Sequence, residues 1–140
     1  MPSFPFPDTP LADGVVALRL SAERDIPEVL IAYQDDPDLA RSLGEAGPPS
    51  GAVLGLRAER AVDLLEAGQA IVFAILEGGG DVCSGEVRVS DVDWQDGRAR
   101  LTLWVAPAFR ARGYARRSAR LARSWLSQSC GLEAICSGRE

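Results

Sequence analysis

The residues best suited to chemistry are three arginines set around one glycine. In Leu103-Trp104-Val105-Ala106-Pro107-Ala108-Phe109-Arg110-Ala111-Arg112-Gly113-Tyr114-Ala115-Arg116, the cations Arg110, Arg112 and Arg116 surround Gly113 and Ala115. The stretch reads as a strand end, a proline, a loop and the start of a helix. The first turn of a helix offers unpaired N–H groups and a partial positive charge of about half an electron, which together favour an anion. Gly113 removes a side chain where an anion must approach the backbone closely, and Ala115 does nearly the same. Charge-assisted hydrogen bonds contribute roughly 1.5–3 kcal/mol each. A few amides plus one of these arginines therefore suffice to hold a pyrophosphate at micromolar strength or better, after the cost of association. The pattern R-x-x-G-x-A is short and also arises by chance, and an arginine stripe on a helix also serves as a solvated face. Its place at a strand-to-helix junction inside the one basic block favours the anion site.

That block stands out in an acidic chain. The net charge is −5. Residues 1–97 carry −12 and residues 98–123 carry +8, from eight arginines and no acid, while the tail adds −1. Such segregation fits one compact anion held at one place, not nucleic acid spread along a surface. Histidine is absent, and Cys83, Cys130 and Cys136 are unevenly spaced with no CxxC pair. This composition argues against a zinc site, a disulfide scaffold and any imidazole mechanism, and it suggests a reducing, cytoplasmic setting with no metal. Cys130 reads as a loop thiol and Cys136 as a small apolar filler. No apolar run approaches the length of a membrane helix, and the proline-bearing N-terminus does not resemble a secretory signal. Glu86 is the candidate general base, able to relay a proton through water, with Asp91 and Asp93 as further candidates. Each of the three also reads as an ordinary solvent-facing carboxylate.

The elements that must position these groups can be read from periodicity. The 140 residues fit one domain, residues 1–140, with a loose proline-rich arm over 1–13. Val15–Leu20 alternates as a strand. Ser21 reads as the cap of a helix that ends near Asp36-Pro37. A short helix is expected over Asp38–Leu43, a loop over Gly44–Gly51, and a longer helix over Leu54–Ala67 closed by Gly68. Strands follow at Ala70–Leu76, Val82–Val92 and Arg98–Val105, with Val87, Val89 and Asp91 on one face. Gly113–Ser127 is an amphipathic helix with Tyr114, Ser118, Leu121, Ala122 and Trp125 inward. Leu132–Ile135 is a last strand. The order β-α-α-β-β-β-α-β gives an α+β fold, mainly antiparallel, whose last crossover is parallel.

With these elements in place, the sequence resembles a known family. Gly85–Leu126, GEVRVSDVDWQDGRARLTLWVAPAFRARGYARRSARLARSWL, is similar to the central region of GCN5-related N-acetyltransferases (GNAT), in the branch of the RimJ/RimL-type ribosomal-protein-alanine acetyltransferases. Arg24-Asp25-Ile26-Pro27 and Tyr33-Gln34-Asp35-Asp36-Pro37 match the same branch. The resemblance implies acetyl-CoA as cosubstrate and a primary amine, on a protein N-terminus or a small molecule, as acceptor. It implies that backbone groups of Leu103, Trp104 and Val105 pair with the pantetheine arm. The amides of Arg110, Ala111, Arg112, Gly113, Tyr114 and Ala115, with Arg116 beside them, would then cradle the pyrophosphate. The amine would attack the thioester directly, with no covalent enzyme intermediate. Relative to the family, the chain is expected to lack a final helix and two strands. That would leave its last strand as an open edge and remove one wall of the groove, together with the tyrosine that often protonates the thiolate. A homodimer through that edge is the expected assembly. The alternative is a non-catalytic CoA-binding or protein-interaction domain built on the same fold.

Overall fold

Alternating apolar side chains build the sheet. In the computed structural model, which describes residues 3–5 and 10–136 (for Cys136 the backbone alone), six strands lie in the order β1-β2-β3-β4-β5-β6. They are β1 (Leu11–Ala12), β2 (Val16–Leu20), β3 (Ile71–Glu77), β4 (Gly85–Asp93), β5 (Arg98–Val105) and β6 (Glu133–Cys136). Neighbours pair antiparallel except β5 and β6, which run parallel. Helices α1 (Ile26–Asp35), α2 (Leu39–Ser42) and α3 (Gly51–Glu66) follow β2, and α4 (Tyr114–Trp125) links β5 to β6. The mixed α+β architecture, with a mostly antiparallel sheet, is the one the pattern implies.

Period-two alternation sends each strand to both faces. Val16, Leu18, Ile71, Phe73, Val87, Val89 and Leu101 pack with Tyr114, Ala119, Ala122 and Trp125 of α4. On the other face Ala74, Leu76 and Trp104 meet Val29, Tyr33, Leu39 and Leu54 from α1, α2 and α3. The sheet is thus clamped between one helix and three.

Four local expectations change. The arm over 1–13 is not loose where it is described. Phe4 is buried against Trp94 and Trp125 at centroid distances of 5.4 and 6.0 Å, and Leu11–Ala12 pairs with β2. Burying a phenylalanine contributes roughly 1.5–3 kcal/mol, and proline stiffens a segment without preventing it from docking; residues 1, 2 and 6–9 lie outside the described residues. Ser21 is not the cap of α1. A single 3-10 turn at Glu23–Asp25 comes first, and the Asp25 carboxylate accepts from the Ala22 N–H at 2.9 Å. Asp91 does not share a face with Val87 and Val89. A bulge between Ser90 and Asp93 puts Asp91 at φ 49, turning it to solvent and Val92 against the core. On α4, Ala119 is buried where Leu121 was expected, and Leu121 is half-buried.

Two tight constraints tie the sheet together. Gly85 admits no side chain, because a Cβ there would lie 2.2 Å from the Trp104 carbonyl oxygen. Arg19 of β2 donates to both Asp25 oxygens at 2.7 and 2.9 Å and to Asp81, in the turn after β3, at 2.9 Å. Burial pushes the Asp25 carboxyl up. The Arg19 hydrogen bonds, the Ala22 N–H and the charges of Arg19 and Arg24 outweigh it and hold the group below its ordinary value of 3.8.

Gly85→Ala should lower the melting temperature by at least about 3 °C, since overpacking costs roughly 1–3 kcal/mol; thermal unfolding checks this, and an unchanged melting point contradicts the close approach. Because the Asp25 pKa is depressed on folding, its stabilisation is present above pH 3.8 and is lost as the pH falls through the lower folded value. Asp25→Asn should therefore weaken the protein at neutral pH and flatten the fall in stability below about pH 4. Denaturation midpoints from pH 2 to 7 read both effects.

Candidate functional site

The site begins at a half-paired strand. β6 accompanies β5 only from Arg98 to Leu101. Beyond that point β5 keeps β4 on one side and has no strand on the other among the described residues. The Ala106 N–H donates to Ser84 at 2.8 Å on the β4 side, so alternation turns the peptide groups of Leu103 and Val105 to the open side. Trp104 differs from the expectation. Its carbonyl lies over Gly85 on the β4 side, so its peptide groups do not serve the open edge. Trp104 nonetheless lines the groove.

The loop after β5 folds back sharply. Pro107–Phe109 forms one 3-10 turn, and Ala111 and Gly113 both take left-handed angles, φ 65 and φ 78. Left-handed backbone costs an alanine roughly 1–2 kcal/mol. A Cβ at Gly113 would meet nothing within 4 Å, so glycine is required there by the backbone angle and not by crowding from the protein. Such alternation aims successive N–H groups into one concavity. The Arg110 N–H donates to Pro107 at 3.3 Å, and the first helical bond of α4 runs from Arg117 to Gly113 at 3.1 Å. Between them, among the described residues, the N–H groups of Ala111, Arg112, Gly113, Tyr114, Ala115 and Arg116 donate to no protein acceptor. The run of unpartnered N–H groups thus begins after Arg110, whose own N–H is taken by Pro107.

The arginines are used differently from the expectation. Arg110 Nε donates to the Val105 carbonyl at 2.8 Å and Nη2 to Asp36 at 2.7 Å. Its guanidinium holds the Asp36 carboxyl below the ordinary carboxylate range. Arg112 donates to Glu77 at 2.9 Å and lies 5.5 Å from the Phe109 ring centroid. Both side chains hold the loop in place. Arg116 is exposed beside the cradle with no partner among the described residues. Asp36 was missed by the sequence reading because it lies 74 positions from its partner.

Together these elements enclose a groove of about 490 Å³ walled by Leu39, Ser42 and Leu43 on one side and by Leu103, Val105, Phe109, Ala111, Gly113 and Ala115 on the other. Tyr114 also touches it while packing into the core. Part apolar and part lined by free N–H groups, it suits a ligand that carries both an anionic group and an apolar portion.

Glu86 does not line this groove. It faces a second cavity of about 430 Å³ between the sheet and α1 and α3. Its Oε1 accepts from Arg88 Nη2 at 3.0 Å and from the Trp104 indole at 3.1 Å, so it is not the solvent-facing carboxylate of the simpler reading. Trp104 lines the groove, and its indole N–H donates to Glu86, which lines the cavity. Asp91 pairs with Arg100 at the surface, and Asp93 caps the turn N–H groups of Gln95 and Asp96. Neither approaches the groove. Burial, then the Glu86 charge, pushes the Cys83 thiol up to about 12, and burial pushes Cys130 up to about 11, so neither supplies a thiolate nucleophile. Among the described residues no metal-binding cluster forms, and no helix is long and apolar enough to cross a membrane.

The fold has many solved counterparts. A Salmonella typhimurium acetyl transferase described as modifying the N-terminal serine of ribosomal protein L7/L12 aligns with a TM-score of 0.77 at 13% identity, over 89% of this chain and 71% of that one. RimL, a ribosomal L7/L12 alpha-N-protein acetyltransferase in complex with coenzyme A, aligns at 0.75 and 12% identity over 91% and 72% of the two chains. The ribosomal-protein-S5-alanine acetyltransferase of Vibrio fischeri aligns at 0.71 and 15% over 92% and 73%. No curated protein sequence matches the chain. The profile of the acetyltransferase (GNAT) domain matches residues 16–138, nearly the whole length, and the chain belongs to that family.

Proposed function

We propose that the protein is an acetyl-CoA-dependent N-acetyltransferase acting on a primary amine. The observation that carries this reading is the run of unpartnered N–H groups from Ala111 to Arg116, opening on a groove floored by the free edge of β5. The N–H groups of Ala111, Arg112, Gly113, Tyr114 and Ala115 would hold the diphosphate, with Arg116 as the available cation. The peptide groups of Leu103 and the N–H of Val105 would pair with the pantetheine amides, as an added strand does, the Val105 carbonyl being taken by Arg110, while Trp104 contributes its indole face. A backbone N–H at this edge polarises the thioester carbonyl.

The acceptor nitrogen forms a bond to the carbonyl carbon, the carbon–sulfur bond breaks, and sulfur departs with its electron pair. The amine proton passes through water to Glu86, whose Oε2 is left to the cavity by the contacts on Oε1. A proton from solvent restores the thiol, giving amide and free CoA. Direct attack fits a chain without histidine and with its two described thiols held protonated.

One observation favours the second reading, a CoA-binding domain without turnover. Glu86 is already held by Arg88 and Trp104, an arrangement that also serves the fold.

Acetyl-CoA at 100 times its Kd should stabilise the protein by about 2.7 kcal/mol, visible as a higher melting temperature. Gly113→Glu should remove that shift, while Gly113→Asn, which tolerates left-handed backbone, should remain folded and keep part of it. No shift at millimolar acetyl-CoA with folded protein would end both readings. Glu86→Gln should lower kcat for thiol release by roughly 10²–10⁴-fold and leave the acetyl-CoA shift in place. A shift with no thiol release across an amine panel would select the binding domain.

A further inference from the structure

The second cavity follows from the sequence of α3. Leu54, Ala58, Ala61 and Leu64 fall on one helical face at spacings of four, three and three residues. The two central positions are alanines, too short to reach the sheet. As a result this 16-residue helix has a single buried side chain, Leu54. Val29 of α1 and Val72 of β3 close the opposite walls, leaving the space of about 430 Å³.

Polar groups gather at one end. Glu86 and Arg88 pair at 3.0 Å, Glu45 pairs with Arg57 at 2.8 Å, and the Tyr33 hydroxyl donates to Glu45. Asp25, which also lines the space, is held by Arg19. Each carboxylate has an arginine partner, and Arg60 at the rim is exposed and has none among the described residues. The cavity thus carries no surplus negative charge and does not suit a polyamine. Its remaining walls are largely aliphatic, and Glu86 Oε2 is the carboxylate oxygen of the lining that accepts no hydrogen bond among the described residues, while Oε1 accepts from Arg88 and from the Trp104 indole.

Resting on the acetyltransferase reading, we propose that this cavity binds the body of the acceptor, and that the acceptor is an amine on an apolar skeleton of leucine-to-phenylalanine size. Its nitrogen sits at Glu86 and its carbon body fills the space that Ala58 and Ala61 leave under α3. A free amine and an N-terminal residue present the same chemistry, and this end of the site reads only that chemistry.

Phenylalanine amide, leucine amide, glycine amide and spermidine serve as probes. Wild type should acetylate the first two with kcat/KM at least about 10-fold above the others, the scale that apolar pocket contacts provide. Ala61→Leu, which fills the cavity, should melt no lower than wild type, still respond to acetyl-CoA, and bring the ratio toward one; Ala58→Leu is the second variant should the first fail to fold. Titration calorimetry of phenylalanine amide in the presence of CoA makes the test independent of turnover. Saturable binding to wild type that Ala61→Leu loses supports the proposal. No binding to wild type, equal binding by both proteins, or a preference for glycine amide or spermidine overturns it. Loss of the acetyl-CoA response in wild type would instead remove the underlying reading, so the two failures remain distinct.

Discussion

Arg110 joins the parts of the candidate site. One guanidinium caps the Val105 carbonyl at the end of β5 and pairs with Asp36 at the end of α1. Without that bridge the loop from Ala106 to Gly113 would have few contacts to hold its turn, because Ala111 sits in a backbone region that alanine disfavours. The strain at Ala111 and the free N–H groups beyond it belong together. A loop that satisfied its own amides would have no need of left-handed residues at 111 and 113.

The sheet contributes the second constraint. β6 leaves β5 after Leu101, so among the described residues the last four residues of β5 have a strand on one side only. Gly85 lets β4 and β5 approach closely at the same level, which holds Trp104 in place. Trp104 then serves two spaces at once, as wall of the groove and as hydrogen-bond donor to Glu86. Glu86, paired with Trp104 across β4 and β5, is thereby held on the same face of the sheet beside it.

Charge segregation has a structural meaning beyond ligand attraction. The basic block and the acidic remainder meet in pairs far apart in sequence, Arg110 with Asp36, Arg112 with Glu77 and Arg117 with Asp13. Exposed pairs of this kind contribute about 1 kcal/mol or less each. Their effect is to orient the loop and α4 against the other elements and to leave Arg116 as the available cation near the cradle.

Local pattern was enough for much of this. Strand alternation, the helix starting after Gly113, the Gly68 stop and the parallel last crossover depend on neighbours a few residues apart, and periodicity records them directly. The strand-to-helix junction around Gly113 was legible for the same reason, since a helix start and a left-handed glycine are local features. What the residues near the site do was not legible. Arg110 and Arg112 read as ligands for an anion and are found paired with Asp36 and Glu77, Trp104 turns its carbonyl to β4 and its indole to Glu86, and Asp91 turns away at a bulge. The space under α3 exists only because two alanines face a sheet assembled from strands on either side of it in the chain. Those outcomes depend on which distant groups meet after packing, and single-sequence periodicity carries no record of such meetings.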